Sequence, residues 1–561
     1  MTAPAAKNMD DIVALCRRRG FIWQSSEIYG GIQGFWDYGP LGAQLKKNLK
    51  DAWWTDTITC PPDGPDGHPL QIVPVDTTII MHPKVWEASG HVGGFNDPMV
   101  EDKGNGRFRA DHLVGIYELP IQTQNEFEHD LELLRKIVSP AQIPARTVVA
   151  STVGEAIARV LEDKAYRKGI GVRSASLSSV LDYDGSGPAA DVLQLDLGQG
   201  AKNYIFKFPH PSVLTDAPER VPSPVTGKPG TLTEPRMFNL MYETHNGPIR
   251  SDENKAYLRP ETAQGIFTQF WNVVDTSRVK TPFGIAQMGK SFRNEVTPRN
   301  FTFRSREFEQ MEIEFFIHPS EAVQWYRYWR DMRFAWWQSV GLAGANLQLR
   351  EHDKDELSHY AKEGAGVCDV EYRFPFTAPG FGELEGVAHR SDFDLRQHAK
   401  FSRGEEKMDT LRYFDQERNE RYFPHVIEPS AGADRGTLAI LCEAYTPTPD
   451  RSGAKAIMQF VPRMAPIKAG IFPLVAKDGM PEIAEKLYKE VRKKHVCQLD
   501  VKQNIGKRYA RMDEAGTPFC FTIDGDSLND QTVTVRDRDT LAQDRVALDK
   551  VVAYLDEKIG S

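Results

Sequence analysis

The sequence predicts an α+β protein built around an antiparallel sheet with flanking helices. The first observation is a pair of segments, Ser291–Glu295 and Arg304–Phe316, which read as two strands joined by a basic loop. The second is the alternation of strand, loop and helix patterns along residues 236–461, which suits such a sheet. A third pattern, after Pro462 and Pro466, predicts a C-terminal α/β unit whose mixed sheet is covered by helices.

Length and composition are those of an ordinary globular chain. The 561 residues, of which 40% are hydrophobic and 26% charged, suggest about three to four domains. No run of about 18 apolar residues and no signal-like N-terminus occur, so no membrane contact is expected. The 6 scattered cysteines lack metal-ligand spacing and favour a cytoplasmic protein with buried, free thiols. The net charge of −9 argues against nonspecific binding of nucleic acid, but a local basic patch could still meet RNA.

Residues 1–112 predict two amphipathic helices. The first has apolar residues at helical spacing (Met9, Ile12, Val13 and Cys16) and should end at Gly20. The second carries one apolar stripe, formed by Leu41, Leu45, Leu49, Ala52 and Trp53. Packing of this stripe on the core is the simpler interpretation.

Residues 113–235 look like an inserted module. Helical patterns occur at Phe127/Leu131/Leu134 and at Val153/Ile157/Val160/Leu161, with Ser- and Gly-rich joints near Ser174–Ser179 and Asp184–Pro188. The segment contains no catalytic constellation. A packed accessory module is therefore the simpler interpretation, and contact with a nucleic-acid partner is the alternative.

Residues 462–561 predict alternating strands and helices. The expected strands are Ile467–Val475, Pro518–Ile523 and Thr532–Val535; the expected helices are marked by Ile483/Leu487/Val491 and by Leu541–Leu555. Lys507, Arg508 and Arg511 place positive charge near a helix start. Such a patch by itself is more often a solvated face.

Period-two alternation along Arg304–Phe316 separates two faces of a strand. Met311, Ile313 and Phe315 are apolar and should face a core, whereas Phe308, Gln310 and Glu312 share the opposite face. Arg293 and Glu295 also share a face of the preceding strand. Such a hairpin could hold a nucleotide together with a small amine. An ordinary half-buried hairpin with a charged outer face is the alternative.

The spacing of Phe292, Arg293 and Glu295, followed by Arg304, Phe308 and Glu312, resembles motif 2 of the class II aminoacyl-tRNA synthetases. Further strings resemble the dimeric glycyl-tRNA synthetases: Phe21–Leu41, Pro83–Asn96, Arg107–Asp111, Leu232–Leu240, Leu258–Phe267, Gly382–Leu395 and Pro424–Arg435. This resemblance covers nearly the whole chain outside the insertion.

The resemblance implies a class II catalytic core in two parts, residues 1–112 and 236–461, around the insertion 113–235. It also implies an anticodon-binding domain over residues 462–561. Its helix after Gly39 would form a homodimer. The implied reaction uses ATP and Mg²⁺ to make glycyl-adenylate, and then transfers the glycyl group to tRNA(Gly).

The resemblance also assigns site residues. Arg293 and Arg435 would be catalytic, with Arg293 bridging the α-phosphate and the glycine carboxylate. The implied ATP-binding set is Arg293, Asn294, Glu295, Phe303, Arg304, Phe308, Glu383, Leu384, Gly432, Ala433, Asp434 and Arg435. The implied glycine-binding set is Arg109, Glu261, Phe308, Gln310, Glu312, Glu428 and Ser430, whose carboxylates would hold the ammonium group while lack of space excludes larger amino acids. Phe308 would stack on adenine, Glu383 would bind Mg²⁺, and Lys507, Arg508 and Arg511 would contact tRNA.

Two features bear on alternatives. Many relatives carry Cys-x-x-Cys where this chain has Val221–Lys228 without thiols, so no structural zinc is expected. A catalytically silent, nucleic-acid-binding paralogue and a synthetase for another amino acid are the rival hypotheses. The presence of Arg293, Glu295, Phe308 and Arg435 favours an active enzyme over the first rival.

Overall fold

The computed structural model describes residues 7–118, 143–150, 156–157, 159–160, 174–176, 191–196, 201–207, 211–353, 361, 364–377, 380–449, 451 and 453–560. The chain forms two compact units. The first unit comprises Met1–Gly90, Tyr242–Arg293 and Arg299–Ser561, and the second comprises His91–Met241 and Asn294–Pro298.

A seven-stranded sheet forms the centre of the first unit. Its strands are β1 (Ile72–Pro74), β2 (Phe283–Phe292), β3 (Glu307–Ile317), β4 (Leu347–Glu351), β5 (Val367–Tyr372), β6 (Gly382–Ser391) and β7 (His425–Gly432). They lie in the order β4-β5-β6-β7-β3-β2-β1. All neighbours are antiparallel except β1, which pairs parallel to β2 at one edge. The predicted antiparallel sheet is confirmed.

Six longer helices accompany this sheet: α1 (Met9–Arg19), α2 (Pro40–Trp54), α3 (Ala263–Ser277), α4 (Ala322–Ser339), α5 (Phe393–Arg403) and α6 (Ala433–Ala444). Side chains of α1, α2, α4 and α6 share one buried apolar cluster with Met311, Ile313 and Phe315 of β3. Side chains of α3 and α5 share a second cluster with Phe283 and Phe316. The two clusters use opposite faces of β3, because successive side chains of a strand point to opposite sides.

Shorter elements complete the first unit outside its C-terminal part. They are the helix Pro83–Ala88 and the strands Ile22–Gln24, Trp36–Tyr38, Ile80–Met81, Tyr242–His245, Lys255–Leu258, Tyr413–Asp415, Glu420–Tyr422, Tyr445–Pro447 and Ala456–Met458.

Both helices predicted near the N-terminus are present. α1 ends before Gly20, whose φ of +76° is the left-handed geometry that commonly terminates a helix. On α2 the predicted stripe is buried, with Leu45, Leu49 and Trp53 fully inside the chain's own core. The simpler interpretation of this stripe, packing on the core, is confirmed.

The C-terminal part of the first unit contains a five-stranded mixed sheet. Its strands are Ala469–Pro473, Cys497–Leu499, Phe519–Ile523, Thr532–Asp537 and Gln543–Ala547, and its helices are Met480–Val491, Ile505–Ala515, Ser527–Asp530 and Val551–Ile559. The predicted closing helix over Leu541–Leu555 is wrong in its first half. Gln543–Ala547 pairs along Thr532–Arg536 as an edge strand, and that pairing overrides the local helical pattern.

Among the described residues of the second unit, the strands form two antiparallel sheets. One is formed by Leu113–Glu118, Arg146–Val149, Ser174–Ser176, Asp191–Asp196 and Ala201–Lys207, the other by Asn96–Asp102, Gly106–Arg109 and Arg236–Asn239; the helices are His91–Gly94 and Pro211–Asp216. Ser174–Ser176 is thus a strand where a joint was expected. The pattern Phe127/Leu131/Leu134 and the joint Asp184–Pro188 lie outside the described residues, as do Val153 and Leu161, whereas Ile157 and Val160 are helical.

Two expectations from composition can be compared with the structure. Of the helices that the structure describes, none combines the length and apolarity needed to cross a membrane. All 6 cysteines are free, but Cys60 is exposed, so the expectation of uniformly buried thiols is wrong at that position.

Candidate active site

The hairpin of β2 and β3 forms the floor of the candidate site. Its ladder pairs Gln287 with Glu312, Gly289 with Gln310 and Ser291 with Phe308. The predicted first strand, Ser291–Glu295, is wrong beyond Phe292: β2 runs from Phe283 to Phe292, so Arg293 and Glu295 lie after the strand and do not share a strand face. Arg293 follows the strand, and its backbone N–H donates to the carbonyl of Arg306 at 2.9 Å.

The two faces predicted for β3 are confirmed. Met311, Ile313 and Phe315 are fully buried in the apolar cluster. Gln310 and Glu312 are also buried but belong to a polar network on the opposite face. The sheet therefore separates an apolar core from a polar pocket.

Arg293 lies directly over the predicted aromatic platform. Its guanidinium carbon is 5.4 Å from the centroid of the Phe308 ring, and its Nε donates to the carbonyl of Pro260 at 3.0 Å. These contacts hold a cation beside an aromatic face, where a nucleotide base and its phosphates could both bind.

Arg435 lies in the first turn of α6 and supplies a second positive charge in the candidate site. Its Nε donates to the carbonyl of Phe303 at 3.0 Å, and its guanidinium lies 4.5 Å from the Phe303 ring centroid. Its Nη1 pairs with the Glu383 carboxylate at 2.9 Å. Arg435, together with Arg293 and Arg304, lowers the pKa of Glu383, so this half-exposed carboxylate is ionised and able to bind a cation.

Four other predicted ATP-site residues could contact a nucleotide mainly through their backbone atoms: Leu384, Gly432, Ala433 and Asp434. Leu384 and Ala433 are buried in the apolar core, and Gly432 has no side chain. The Asp434 carboxylate is engaged by Tyr38, Lys46 and the backbone N–H of Glu309. Any contact of these residues with a nucleotide would therefore be made by backbone groups.

The predicted glycine-site residues on β3 and β7 meet in one network. Ser430 Oγ donates to the Glu312 carboxylate at 2.7 Å, and the Thr262 hydroxyl donates to its other oxygen. Gln310 Nε2 lies 3.3 Å from Glu312 and 3.2 Å from Ser430. Burial, reinforced by Glu428 and Glu261, raises the pKa of Glu312 to about 8.

A second group of polar side chains comes from β6, α3 and α5, and from Glu261 just before α3. Arg390 Nη1 donates to Glu428 at 2.6 Å, while its Nε and Nη2 bind both oxygens of Asp394 at 2.8 and 3.0 Å. Gln264 Nε2 links Asp394 to Glu261, at 2.9 and 3.0 Å. Burial raises the pKa of Glu428, against the opposing effect of Arg390. Glu261, Glu312 and Glu428 are therefore brought together, as predicted.

Glu314 is a pocket residue that the sequence reasoning missed. It is the next residue after Glu312 on the same face of β3, so the alternation itself could have found it. The side chain is fully buried, and neither carboxyl oxygen has a hydrogen-bond partner among the described residues. Burial, together with Glu428, raises its pKa well above the usual value, which favours the neutral, protonated form of the group. Ligand atoms of Glu312, Glu314 and Glu428 all lie within 4.8 Å of one another, which makes them able to surround a cation.

Arg390, Asp394 and Gln264 were also missed. Arg390 and Asp394 lie within the Gly382–Leu395 string, and Gln264 within Leu258–Phe267. Neither string indicates which side chains enter the pocket.

Arg109, Asn294 and Glu295 belong to the second compact unit. Arg109 Nη1 donates to Asp97 at 2.8 Å and its Nη2 to Asp111 at 2.6 Å. The pKa of Arg109 is raised. Burial acts to lower this pKa, but the nearby carboxylates of Asp111, Asp97 and Glu295 outweigh that effect. The backbone N–H of Asn294 donates to the carbonyl of Leu240 at 2.8 Å. The predicted roles of these three residues stay predictions.

The predicted tRNA contacts lie on the helix Ile505–Ala515. Lys507 is exposed, and Arg511 pairs with Asp500 at 2.7 Å while remaining partly accessible. Arg508 differs from the expected solvated group. It is 2% exposed and donates to the carbonyls of Pro473, Leu474 and Asp500, which gives it a structural role in this fold.

Two family models match the chain. The tRNA synthetase class II core domain (G, H, P, S and T) matches residues 242–445, which contain β2 to β7 and α3 to α6. The anticodon binding domain matches residues 468–558, which contain the five-stranded sheet.

Known relatives align along almost the whole chain. The glycine–tRNA ligase of Rhodopirellula baltica is 46% identical over 582 residues, covering 98% of this chain and 99% of that protein. The glycine–tRNA ligases of Ruminiclostridium cellulolyticum and of Staphylococcus aureus strain JH9 are each 41% identical, covering 99% of both chains. With both domain models matched and identities of 41–46% from end to end, the chain belongs to the glycine–tRNA ligase family of class II aminoacyl-tRNA synthetases.

Proposed function

We propose that this chain activates glycine with ATP and transfers the glycyl group to the 3′ end of tRNA(Gly). The observation that carries the proposal is the group formed by the buried Glu312 and Glu314 and the partly buried Glu428, beside Glu261. The test is ATP–pyrophosphate exchange measured with each amino acid in turn. Exchange that depends on glycine alone is expected; exchange with another amino acid, or with none, would contradict the proposal.

The charges of the pocket favour a small ammonium ligand. The carboxyl groups of Glu261, Glu312, Glu314, Glu428 and Asp394 influence one another's pKa values, and the cations beside them include the guanidinium groups of Arg390 and Arg259. Buried carboxylates that lie close together repel one another when they are ionised, and a bound ammonium group relieves that repulsion. Gln310 binds the backbone N–H of Thr262 and the Ser430 hydroxyl beside Glu312, and this hydrogen-bonded surround supports steric exclusion of larger amino acids.

The phosphates of ATP are assigned to the cationic side of the hairpin. A glycine carboxylate oxygen attacks the α-phosphorus, and the bond to pyrophosphate breaks. Arg293 would neutralise charge on the α-phosphate and orient the carboxylate, and Arg435 would contact the outer phosphates or cover the adenine stacked on Phe308. Class II synthetases use Mg²⁺, and the ionised Glu383 suits a hard cation that also neutralises phosphate charge. The ribose hydroxyl of tRNA then attacks the glycyl carbonyl, and AMP leaves.

Glycine binding is expected to strengthen as the pH rises. Glu312, with a pKa of about 8 in the empty pocket, is largely a neutral acid near pH 6.5 and gains its attractive charge above about pH 8. Binding of an ammonium group must therefore expel a proton at lower pH. The KM for glycine should fall between about pH 6.5 and about pH 8.5, by at most about tenfold per pH unit, while the KM for ATP changes less. Glu312→Gln should bind glycine weakly at every pH, and a flat wild-type profile would contradict this assignment.

Contact with tRNA is assigned to the accessible face of the helix Ile505–Ala515. Arg511→Glu combined with Lys507→Glu should raise the KM for tRNA while glycine-dependent exchange stays unchanged, because phosphate contacts add affinity without entering the chemistry. Lys486→Glu combined with Lys489→Glu, both exposed on the preceding helix Met480–Val491, serves as a charge-matched control. Equal effects of the two double variants would contradict a specific contact here.

Three further assignments complete the proposal. Ile28 and Tyr29 are 88% and 87% exposed, and such apolar groups support burial against a second copy in a homodimer. The molecular mass in solution tests this assignment.

Two further proposals concern location and metal content. We propose that the protein is cytoplasmic. We also propose that no structural zinc binds near Val221–Lys228, because that segment lacks thiols.

A further inference from the structure

A partly buried polar cluster connects α2 to β3, which carries Phe308, and to α6, which carries Arg435. Its members are Tyr38, Lys46, Lys50, Glu309 and Asp434. Lys46 Nζ lies 2.7 Å from Asp434 and 3.0 Å from Glu309, so one ammonium group bridges two carboxylates. The Tyr38 hydroxyl donates to the same oxygen of Asp434 at 2.6 Å.

Water has little access to the centre of this cluster, so the charges there interact strongly with one another. Side-chain exposure is 11% for Lys46, 9% for Asp434 and 13% for Glu309. Although burial opposes it, Lys46 lowers the pKa of both carboxyls, and Lys50 adds to the effect on Glu309. Removing the shared cation would leave two ionised carboxylates close together with little water to screen them.

The position of each carboxylate in the sequence links the cluster to the site. Glu309 directly follows Phe308 on β3, and Asp434 directly precedes Arg435 in α6. The second oxygen of Asp434 also accepts the backbone N–H of Glu309 at 2.7 Å. A single ion cluster therefore sets the distance between the strand that carries the aromatic platform and the helix turn that carries the phosphate-side arginine.

We propose that Lys46 is a positioning residue, which holds Phe308 and Arg435 at the separation that ATP requires without touching the nucleotide. This inference rests on the proposed function of Phe308 and Arg435. It assigns to α2, through Lys46, a role in ATP binding that is separate from the packing of its apolar stripe.

The test is Lys46→Met in the full-length protein. We expect the KM for ATP to rise about tenfold or more and kcat to fall by up to about 100-fold, since small misplacements of binding groups have effects of that size. The KM for glycine should stay within about twofold, because Glu312 and Glu428 bond to Thr262, Gln310, Ser430 and Arg390, which are not members of the cluster. Lys46→Arg should recover most of the activity, since it keeps the charge.

Lys47→Met on the same helix is the matched control. It removes an exposed ion pair with Asp51 and should change neither KM. If Lys46→Met unfolds the protein, Asp434→Asn replaces it, because the amide has the same size but loses the charge. Equal effects on the KM of both substrates, or kinetics like those of Lys47→Met, would overturn the inference.

A binding measurement separates this inference from the proposed function. Affinity for a non-hydrolysable ATP analogue, measured by calorimetry, should fall in Lys46→Met and not in Lys47→Met. Unchanged affinity in Lys46→Met would overturn the role of Lys46. If the unaltered protein shows no glycine-dependent exchange, the proposed function is overturned instead.

Discussion

Arg293→Ala is expected to abolish glycine-dependent ATP–pyrophosphate exchange, with a loss of at least about 1,000-fold in kcat/KM. The guanidinium lies over Phe308, where it would meet both reacting anions, the glycine carboxylate and the α-phosphate. Without it, two negative groups must approach each other without the cation that bridges them, and the cost falls on the transition state. Arg293→Lys should recover little, because an ammonium group cannot make the planar, bidentate contacts of a guanidinium.

The fold should survive this substitution, since Arg293 lies after β2 and not within the ladder. Lys290→Ala is the matched control on the same hairpin. It removes an exposed pair with Glu307 and should leave exchange unchanged. Near-normal exchange in Arg293→Ala would remove the role assigned to this arginine.

Glu261→Ala should raise the KM for glycine much more than the KM for ATP. The carboxylate lies close enough to Glu312 and Glu428 to raise the pKa of both, which places it beside the expected ammonium site. Loss of a hydrogen bond to a charged group costs about 1.5–3 kcal/mol, or roughly a 10- to 150-fold rise in KM. Glu261→Gln is the sharper variant, because it keeps the volume and a possible bond with Gln264 while removing the charge.

Asp392→Asn is the control for this second prediction. Its carboxylate pairs with Arg396 at the start of α5, two residues before Asp394 but outside the acidic network. The KM for glycine is obtained from initial rates with glycine varied at saturating ATP. The KM for ATP is obtained with ATP varied at saturating glycine. A parallel rise in both would indicate a general distortion of the site and would contradict an ammonium contact.

Local periodicity was enough to predict the two faces of β3, but not the bounds of β2. The alternation along β3 placed Met311, Ile313 and Phe315 in the core and Gln310 and Glu312 in the pocket, because side chains of a strand must alternate between faces. The same rule applies to Glu314, which was overlooked because a buried carboxyl without a partner is unusual in a core.

Local patterns failed where distant segments decided the outcome. Gln543–Ala547 became a strand because Thr532–Arg536 offered it a ladder. Arg508 became buried because carbonyls near Pro473 and Asp500 accept its hydrogen bonds. Nothing in either segment indicates that its partner is available.

The sequence by itself determined the class of fold, the two faces of β3 and the family, because these depend on residue order within short segments. Only the tertiary structure decided which charges share a space: Arg390 with Glu428 and Asp394, and Lys46 with Glu309 and Asp434. The physical reason is that the electrostatic energy of a buried group depends on distance and dehydration, and neither quantity is set by separation along the chain.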